Sequence, residues 1–440
     1  MSLLKERLAQ KIEEHRPRTA KLLKEFSEVK VGEVNIGQII GGARDVKSLV
    51  TDISYLDPME GIRFRSYTIP EVLAKLPLAE GNEYPCIESF WWLLLTGDVP
   101  TREEAQSVRD EFNTKKIIPQ YVIDLLRRIP RDTHPMTMFS TAVLAMQRES
   151  KFSREYASGM NKSDYWKPMY DDAVEIMAKL PSIAAYIYRM KYRNDTLIPP
   201  NYTVDIGTNF AHMMGIGKPY DDVARLYFIL HSDHESGNAS AHTTHLVAST
   251  LSDAYYSLSA GLNALAGPLH GLATQEFLRW LQDVVKKLDG KEPTEELMKK
   301  FVWDTLNSGQ VIPGYGHAVL RKTDPRYEAQ RQFCLKHLPD DKMFKYVNML
   351  YKVVPDILLE QGKAKNPWPN VDAQSGVLQW HFGIKEYDFY TVLFGVGRAL
   401  GVLSNIIWDR ALYYPLERPK SLTTTMLEDI AAKSISGSKV

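Results

Sequence analysis

Two histidines of this chain stand next to glycines that would let a ligand approach the backbone. His270 lies in the run Ala266-Gly-Pro-Leu-His-Gly271, and His317 follows Gly314 and Gly316. The positive end of a helix disfavours imidazolium, so a neutral histidine that donates one hydrogen bond fits position 270. Taken alone, a structural histidine at a helix start and an ordinary glycine turn explain the two runs as well.

A carboxylate follows in a stiff loop that contains two prolines. Asp372 ends the run Asn366-Pro-Trp-Pro-Asn-Val-Asp372. Held near two neutral histidines, this carboxylate could act as a general base. Alone, it would sooner be the N-cap of a helix that starts at Ala373. Neutral donors together with one carboxylate favour chemistry that removes a proton next to a carbonyl group.

Several arginines are placed where they could bind anions. Arg321 and Arg326 follow His317 and suit phosphates or carboxylates, although a solvated basic face is the competing interpretation. Arg398 lies in a long apolar stretch, where an unpaired guanidinium is costly and an anionic partner is therefore expected. Arg418 precedes a proline, which predicts extended backbone, or else an ordinary exposed tail.

Four histidines lie close together between residues 231 and 245. His231 and His234 are three residues apart, as are His242 and His245, so each pair could share a helix face and bind a metal. No cysteine or zinc-site spacing accompanies them. Hydrogen-bonding histidines are the favoured interpretation, and no metal site is predicted.

The composition excludes several classes of function. Lys plus Arg and Asp plus Glu are both 54 in 440 residues, so no global charge attracts nucleic acid or anionic lipid. Cys86 and Cys334 are too few for a disulfide framework and fit a reducing compartment. The chain is long enough for two or three compact lobes.

Helical periodicity dominates the elements that must position these groups, and it predicts a mainly α fold with a small β hairpin near the N-terminus. Strands are expected at 29–36 and at 62–65, the second after a turn at 57–61. A buried central helix, packed through its glycines, explains the apolar stretch 389–408 better than a membrane span. Further helices are expected at 1–26, 103–112, 170–192 and 221–231. Another has its apolar residues at 277–288 and begins near Pro268, which suits a first turn.

These segments, in this order, resemble the citrate synthase family, in its eukaryotic mitochondrial type. The resemblance extends from Gly41-Gly-x-Arg44 to Arg418, and the combination is specific where no single run would be. The matching runs are His231-Ser-Asp-His-Glu, Gly267-Pro-Leu-His-Gly, Pro313-Gly-Tyr-Gly-His-Ala-Val-Leu-Arg-Lys-Thr-Asp-Pro-Arg326, Asn366-Pro-Trp-Pro-Asn-Val-Asp372 and Pro415-Leu-Glu-Arg-Pro-Lys420.

The resemblance implies roles for the three candidate catalytic residues. Asp372 would remove a methyl proton from acetyl-CoA while His270 donates a hydrogen bond to the thioester oxygen. His317 would polarise and protonate the ketone of oxaloacetate, and citryl-CoA would then be hydrolysed to citrate and CoA. A donor at the developing oxyanion is needed because the thioester α-proton is weakly acidic, and one well-placed donor is worth about 3 kcal/mol.

The resemblance also implies binding residues. His234, Arg326, Arg398 and Arg418 would bind oxaloacetate, since arginine forks match carboxylates. No cofactor is implied, because CoA is part of the substrate. The CoA-binding residues would be Arg44, Arg154, Val311, Gly314, Gly316, Arg321 and Asn370.

The family fold is an all-α homodimer, so Arg418 and Arg154 are expected to cross the subunit interface. By the same resemblance, residues 1–270 and 377–440 would form a large domain and residues 271–376 a small one that closes over the substrates. The resemblance implies the mitochondrial matrix, although the acidic residues of the N-terminal segment are unlike a transit peptide.

Two alternatives remain open at this stage. A 2-methylcitrate synthase uses the same catalytic trio with propionyl-CoA, and one methylene is worth only about 1–3 kcal/mol of discrimination. Ser236, Gln374 and Gly397 depart from residues common in the family and bear on substrate fit. A catalytically idle structural homologue is the other alternative, against which the retained catalytic residues argue.

Overall fold

Helices make up nearly all of the regular structure, which confirms the all-α prediction. The computed structural model describes residues 2–435. Three short 3₁₀ helices lie at Met146–Glu149, Lys162–Asp164 and Tyr387–Phe389. The α-helices are α1 (Leu3–Glu25), α2 (Ile36–Ile40), α3 (Ile69–Lys75), α4 (Ile87–Thr96), α5 (Arg102–Lys115), α6 (Gln120–Arg128), α7 (Pro135–Ala145), α8 (Lys151–Ala157), α9 (Trp166–Tyr192), α10 (Ile206–Met214), α11 (Tyr220–Leu230), α12 (Ala239–Ser249), α13 (Ala254–Leu265), α14 (Pro268–Gly271), α15 (Ala273–Lys287), α16 (Glu295–Asn307), α17 (Pro325–His337), α18 (Lys342–Gln361), α19 (Asp372–His381), α20 (Tyr390–Ala411) and α21 (Thr424–Ile435).

A small antiparallel sheet near the N-terminus is formed by β1 (Ser54–Asp57), β2 (Gly61–Phe64) and β3 (Tyr67–Thr68), in that order. The turn before β2 ends at Gly61, whose φ of +83° suits glycine. The strand expected at 29–36 is wrong, because residues 29–35 have no regular structure and Ile36 starts α2. Its apolar side chains are exposed, and an alternating pattern forms a strand only where another strand pairs with it.

The chain bends beside His270, where a single longer helix was expected. Pro268 begins the four-residue helix α14, and α15 starts separately at Ala273 after Leu272. Gly271 weakens helical continuity at this point, since glycine costs about 1 kcal/mol in a helix interior. His270 therefore lies at a corner of the chain rather than along the side of a long helix.

Helix α20 is the central helix of the core, as predicted from its apolar sequence. The stretch Tyr387–Ala411 is the one described helix that is long and apolar enough to span a membrane, and 94% of its apolar window is buried inside the protein. A Cβ at Gly397 would lie 3.1 Å from the Phe228 carbonyl oxygen, and one at Gly401 would lie 2.5 Å from Asp233 Cβ. These glycines allow α20 to contact the backbone after α11, which confirms their packing role.

Candidate active site

Two of the predicted oxaloacetate-binding residues are buried with unpaired polar atoms. Within residues 2–435, His234 Nε2 and the Nε and Nη1 atoms of Arg398 have no hydrogen-bond partner. No ion pair of Arg398 with a carboxylate occurs within residues 2–435, although Asp233 is near enough to raise its pKa. Burial lowers the pKa of Arg398 to about 10, which Asp233 opposes. Buried donors without partners indicate a place for a ligand's oxygen atoms.

The segment that carries His234 is fixed by the small sheet. Ser54 Oγ donates to Asp233 Oδ2 at 2.7 Å, and the amide of Glu235 donates to Ser54 Oγ at 2.8 Å. The amide of Leu56 donates to Glu235 Oε1 at 2.9 Å. Strand β1 thus holds both sides of His234, a support that no sequence pattern indicated.

Arg326 is oriented by its neighbour Asp324. Its Nε lies 3.1 Å from both carboxylate oxygens of Asp324, and its Nη2 lies 2.8 Å from Oδ2. The amide of Val371 donates to the same Oδ2 at 3.2 Å. Asp324 therefore joins Arg326, a predicted oxaloacetate-binding residue, to Val371, the residue before Asp372.

His317 is held through Nδ1 by the turn that follows it. The amides of Val319 and Leu320 donate to His317 Nδ1 at 3.0 and 3.1 Å. A nitrogen that accepts two N–H groups carries no proton, so the neutral ring has its proton on Nε2. Burial and the charge of Arg326 lower the pKa of His317. The ring centres of His317 and His234 are 5.7 Å apart, so His317 Nε2–H can serve a ligand at His234.

His270 is held through its other nitrogen. The amide of Ser240 donates to His270 Nε2 at 3.2 Å, and Ser240 Oγ lies 2.8 Å from the same atom. Nε2 is therefore an acceptor, and the neutral ring carries its proton on Nδ1. Burial and the charge of Arg398 lower the pKa of His270 to about 4. The neutral donor expected at this position is consistent with these contacts.

Asp372 is the first residue of α19, and Val371 is its N-cap. The helix therefore begins one residue earlier than the N-cap interpretation of Asp372 required. Thr274 Oγ1 donates to its Oδ1 at 2.6 Å. Burial raises the pKa of Asp372, while this hydrogen bond and Arg326 oppose the rise. A partly desolvated carboxylate with a raised pKa is a stronger base than an exposed one.

Two loops that are distant in sequence are joined by Asn370. Its amide donates to Gly314 O at 2.9 Å and its side chain to Gly316 O at 3.0 Å, and its Oδ1 accepts the amide of Asp372 at 3.0 Å. Gly314 (φ +73°) packs so closely that a Cβ would lie 2.8 Å from that of Ala373. Asn370 thus brings the His317 loop to Asp372.

A cavity beside His317 has a volume of about 380 Å³. It is lined by Val311, Gly316 and His317 together with Lys363 and Lys365. Val311 is exposed and apolar, which suits a flat ring, whereas the two lysines suit phosphates. The lysines were missed because isolated lysines are common at helix ends.

The remaining predicted CoA and interface residues are dispersed over the surface. Arg44, Arg154, Arg321 and Arg418 are all exposed. Arg321 contacts the carbonyl oxygens of residues 318–320, and Arg154 lines a separate cavity of about 540 Å³. Within residues 2–435, no hydrogen bond or shared cavity links Arg44, Arg154 or Arg418 to the three predicted catalytic residues.

Two histidines of the four-histidine segment bind carboxylates. His242 Nε2 lies 2.6 Å from Glu417 Oε1, and His245 Nδ1 lies 2.7 Å from Asp409 Oδ2. Burial opposes ionisation of His245, but Asp409 and Glu417 raise its pKa. No set of three or more potential metal ligands occurs among residues 2–435. These contacts fasten the segment next to Arg418 onto α12.

The three departures from the family pattern are accommodated in the core. Ser236 is buried, and Gln374 Nε2 donates to Cys334 Sγ at 3.1 Å. Gly397 lies against the backbone of Phe228. None of these residues displaces His270, His317 or Asp372, the predicted catalytic residues.

Sequence comparison identifies the family. The family model described as "Citrate synthase, C-terminal domain" matches residues 42–420. The chain belongs to the citrate synthase family. A probable mitochondrial citrate synthase of Glossina morsitans morsitans is 51% identical over 434 residues, which are 98% of this chain and 93% of the relative. The mitochondrial citrate synthase of Daucus carota is 50% identical over 432 residues, 98% of this chain and 91% of the relative.

Solved structures agree with this assignment. Citrate synthase from Pyrobaculum aerophilum matches with a TM-score of 0.76 and 28% identity, covering 88% of this chain and 92% of that one. Citrate synthase from Thermoplasma acidophilum, in a ternary complex with carboxymethyl coenzyme A and oxaloacetate, shares the fold with a TM-score of 0.72 and 24% identity over 89% of this chain and 97% of that one. The protein is thus an acyl-transferring enzyme with citrate synthase activity, and 2-methylcitrate synthase is not favoured.

Proposed function

We propose that this citrate synthase uses Asp372 as the base, His270 as the donor to the thioester oxygen and His317 as the donor to the ketone. One observation carries the proposal. Each histidine accepts hydrogen bonds on one ring nitrogen, and this leaves an N–H on the other nitrogen free for substrate. Both rings have lowered pKa values, so both are neutral donors at neutral pH.

The steps follow from these protonation states. Asp372 takes a proton from the methyl group of acetyl-CoA, and the C–H electron pair forms the enol or enolate, whose oxygen accepts from His270 Nδ1–H. The enol carbon attacks the ketone carbon of oxaloacetate while His317 Nε2–H protonates the ketone oxygen. Water then cleaves the thioester of citryl-CoA to give citrate and CoA. No cofactor takes part, because CoA enters with the substrate.

Oxaloacetate would lie between His234, Arg398 and Arg326, with Arg418 from a second copy. The unpaired Nε2 of His234 and the unpaired guanidinium atoms of Arg398 support this placement. Bidentate arginine contacts also exclude substrates that lack both carboxylates.

CoA would use the cavity beside His317. Its adenine would contact Val311, Gly314, Gly316 and Asn370, and its phosphates would be bound by Arg321, by Arg44 and by Arg154 of a second copy. Lys363 and Lys365 add positive charge at the same cavity. Leu269, next to His270, is fully exposed and offers an apolar contact to the acyl arm.

A homodimer with a mobile small domain completes the proposal. Exposed apolar residues on α7, α12 and α13, including Leu144, Leu246 and Tyr256, support burial of this face against a second copy. Helices α15 to α19 pack on one another, which supports residues 271–376 as the small domain between large-domain segments 1–270 and 377–440, although 436–440 lie outside the described residues. Relatives named as mitochondrial support the matrix as the compartment.

An isosteric variant tests the base. Asp372→Asn should abolish oxaloacetate-dependent release of CoA from acetyl-CoA, with unchanged circular dichroism. Asp356→Asn, an exposed carboxylate on α18, is the matched control and should be fully active. Wild-type activity in Asp372→Asn would refute the assignment. Parallel assays with acetyl-CoA and propionyl-CoA should give the higher kcat/KM for acetyl-CoA.

A further inference from the structure

The carboxylate of Asp372 makes a single hydrogen bond within the part of the chain that the structure describes. The donor is Thr274 Oγ1, at 2.6 Å from Oδ1. Asp372 Oδ2 has no hydrogen-bond donor among residues 2–435. The two oxygens of this carboxylate are therefore chemically unequal before any substrate binds.

Thr274 is fixed in place by the packing of α15 against α19. At Gly376, one turn after Asp372, a Cβ would lie 3.0 Å from Thr274 Cγ2 and 3.1 Å from Thr274 O. The absence of a side chain at Gly376 lets the two helices approach closely at this level. The threonine is 7% exposed, so its hydroxyl has little competition from water.

We propose that Thr274 is a positioning residue that occupies Asp372 Oδ1 and leaves Oδ2 as the oxygen that takes the methyl proton of acetyl-CoA. The inference rests on the proposed function of Asp372 as the base. In that step the methyl C–H bond breaks, the proton bonds to Oδ2, and the electron pair passes into the enol or enolate that His270 stabilises.

The chain itself relates this hydroxyl to the thioester donor. His270 and Thr274 lie four residues apart, on either side of the bend at Leu272. One short segment thus carries Thr274, which binds the proposed base, and His270, which would bind the thioester oxygen of the same substrate. The proposed domain boundary lies between His270 and Thr274, so domain closure would move Thr274 and Asp372 together relative to His270.

The hydroxyl also affects ionisation of the base. Burial raises the pKa of Asp372, and the Thr274 hydrogen bond is the largest effect opposing that rise. Removing the hydroxyl should therefore raise the pKa further. The acid limb of the pH profile of kcat would then move to higher pH, an effect that loss of packing alone would not cause.

Thr274→Val keeps the shape of the side chain and removes the donor. We expect kcat about 10- to 100-fold lower, nearly unchanged KM for both substrates, an acid limb shifted upward and a larger isotope effect with methyl-deuterated acetyl-CoA. Thr274→Ser should restore most of kcat and the original acid limb. Thr305→Val is the matched control, since this buried threonine donates only to its own helix at Phe301 O.

Two outcomes separate the inference from the assignment of the base. If Thr274→Val matches Thr305→Val in kcat and pH profile while Asp372→Asn is inactive, the positioning role is wrong and the base remains. If Asp372→Asn is itself active, the proposed function fails. If Thr274→Val is unstable in thermal melting, Thr274→Ser and Thr274→Cys take its place, because their donors differ in strength. An acid limb at the same pH in both variants and in the wild type would also overturn the inference.

Discussion

His270 and His317 present the same chemical group, a neutral imidazole N–H, but they are held by opposite ring nitrogens. His270 accepts at Nε2 from Ser240, a residue 30 positions earlier on another helix. His317 accepts at Nδ1 from amides only two and three residues further along the chain. One donor is therefore built by tertiary packing and the other by a local turn.

The two donors are therefore sensitive to different kinds of substitution. Ser240 contacts His270 through its side chain and its backbone, so a single substitution can weaken that support. The amides that hold His317 have no side chain to remove, and only a change of backbone conformation can release the ring. Substitutions should therefore affect the two histidines unequally.

Removal of either ring should have the largest effect. His270→Ala and His317→Ala should each lower kcat about 10²- to 10³-fold, because one oxyanion donor is lost. His270→Ala should also stop deuterium exchange into the methyl group of acetyl-CoA, whereas His317→Ala should slow it less, since His317 acts on the other substrate. Thiol release and NMR measure the two quantities. Equal rates of deuterium exchange in the two variants would contradict the assignment of the two histidines to different substrates.

A backbone change should break the local support of His317. Gly314→Ala places a Cβ 2.8 Å from Ala373 at a φ of +73°, so the His317 loop must move away from Asp372. We expect kcat about 10- to 100-fold lower, since small displacements of a catalytic group are costly. Gly362→Ala has the same φ with nothing within 4 Å and controls for backbone strain alone. Similar kcat values in the two variants would argue against the loop contact.

A side-chain change should only weaken the support of His270. Ser240→Ala removes the 2.8 Å hydroxyl contact but keeps the amide donor, so kcat should fall about 3- to 10-fold. Ser257→Ala is the control, because this buried serine on α13 donates only to Asp253 O, four residues earlier. A loss as large as that of His270→Ala would mean that the hydroxyl, not the amide, sets the tautomer.

The smallest effect should appear in stability at acid pH. The pKa of His270 is about 4 in the folded protein against 6.5 ordinarily, so the unfolded chain binds the extra proton first. Stability is retained above about pH 6.5 and falls as the pH drops towards 4. The free energy of unfolding of His270→Gln should fall less steeply as the pH decreases. Urea unfolding over about three pH units, from about pH 7.5 to about pH 4.5, measures this slope. An unchanged slope would contradict the neutral ring.

Sequence patterns predicted the long helices and supplied the residues proposed as catalytic, but they gave no signal for the residues that support them. Helix α20 could be predicted because a buried helix carries a continuous apolar signal. Ser240 and Thr274 carry no local signal, because their roles depend on helices that meet only in the fold. The strand expected at 29–36 failed for the same reason, since pairing is a property of the partner as well as of the segment.

The glycines of α20 have a consequence for substrate size. Gly397 and Gly401 flank Arg398 and press the helix against the backbone of 228–233, directly before His234. The separation between Arg398 and His234, the two groups proposed to bind oxaloacetate, is therefore set by contact between the helix and the main chain, which cannot be adjusted in small steps as side chains can. The packing of α20 would in this way select a diacid of four carbons. A variant that accepts a longer keto acid would need a shift of α20 itself.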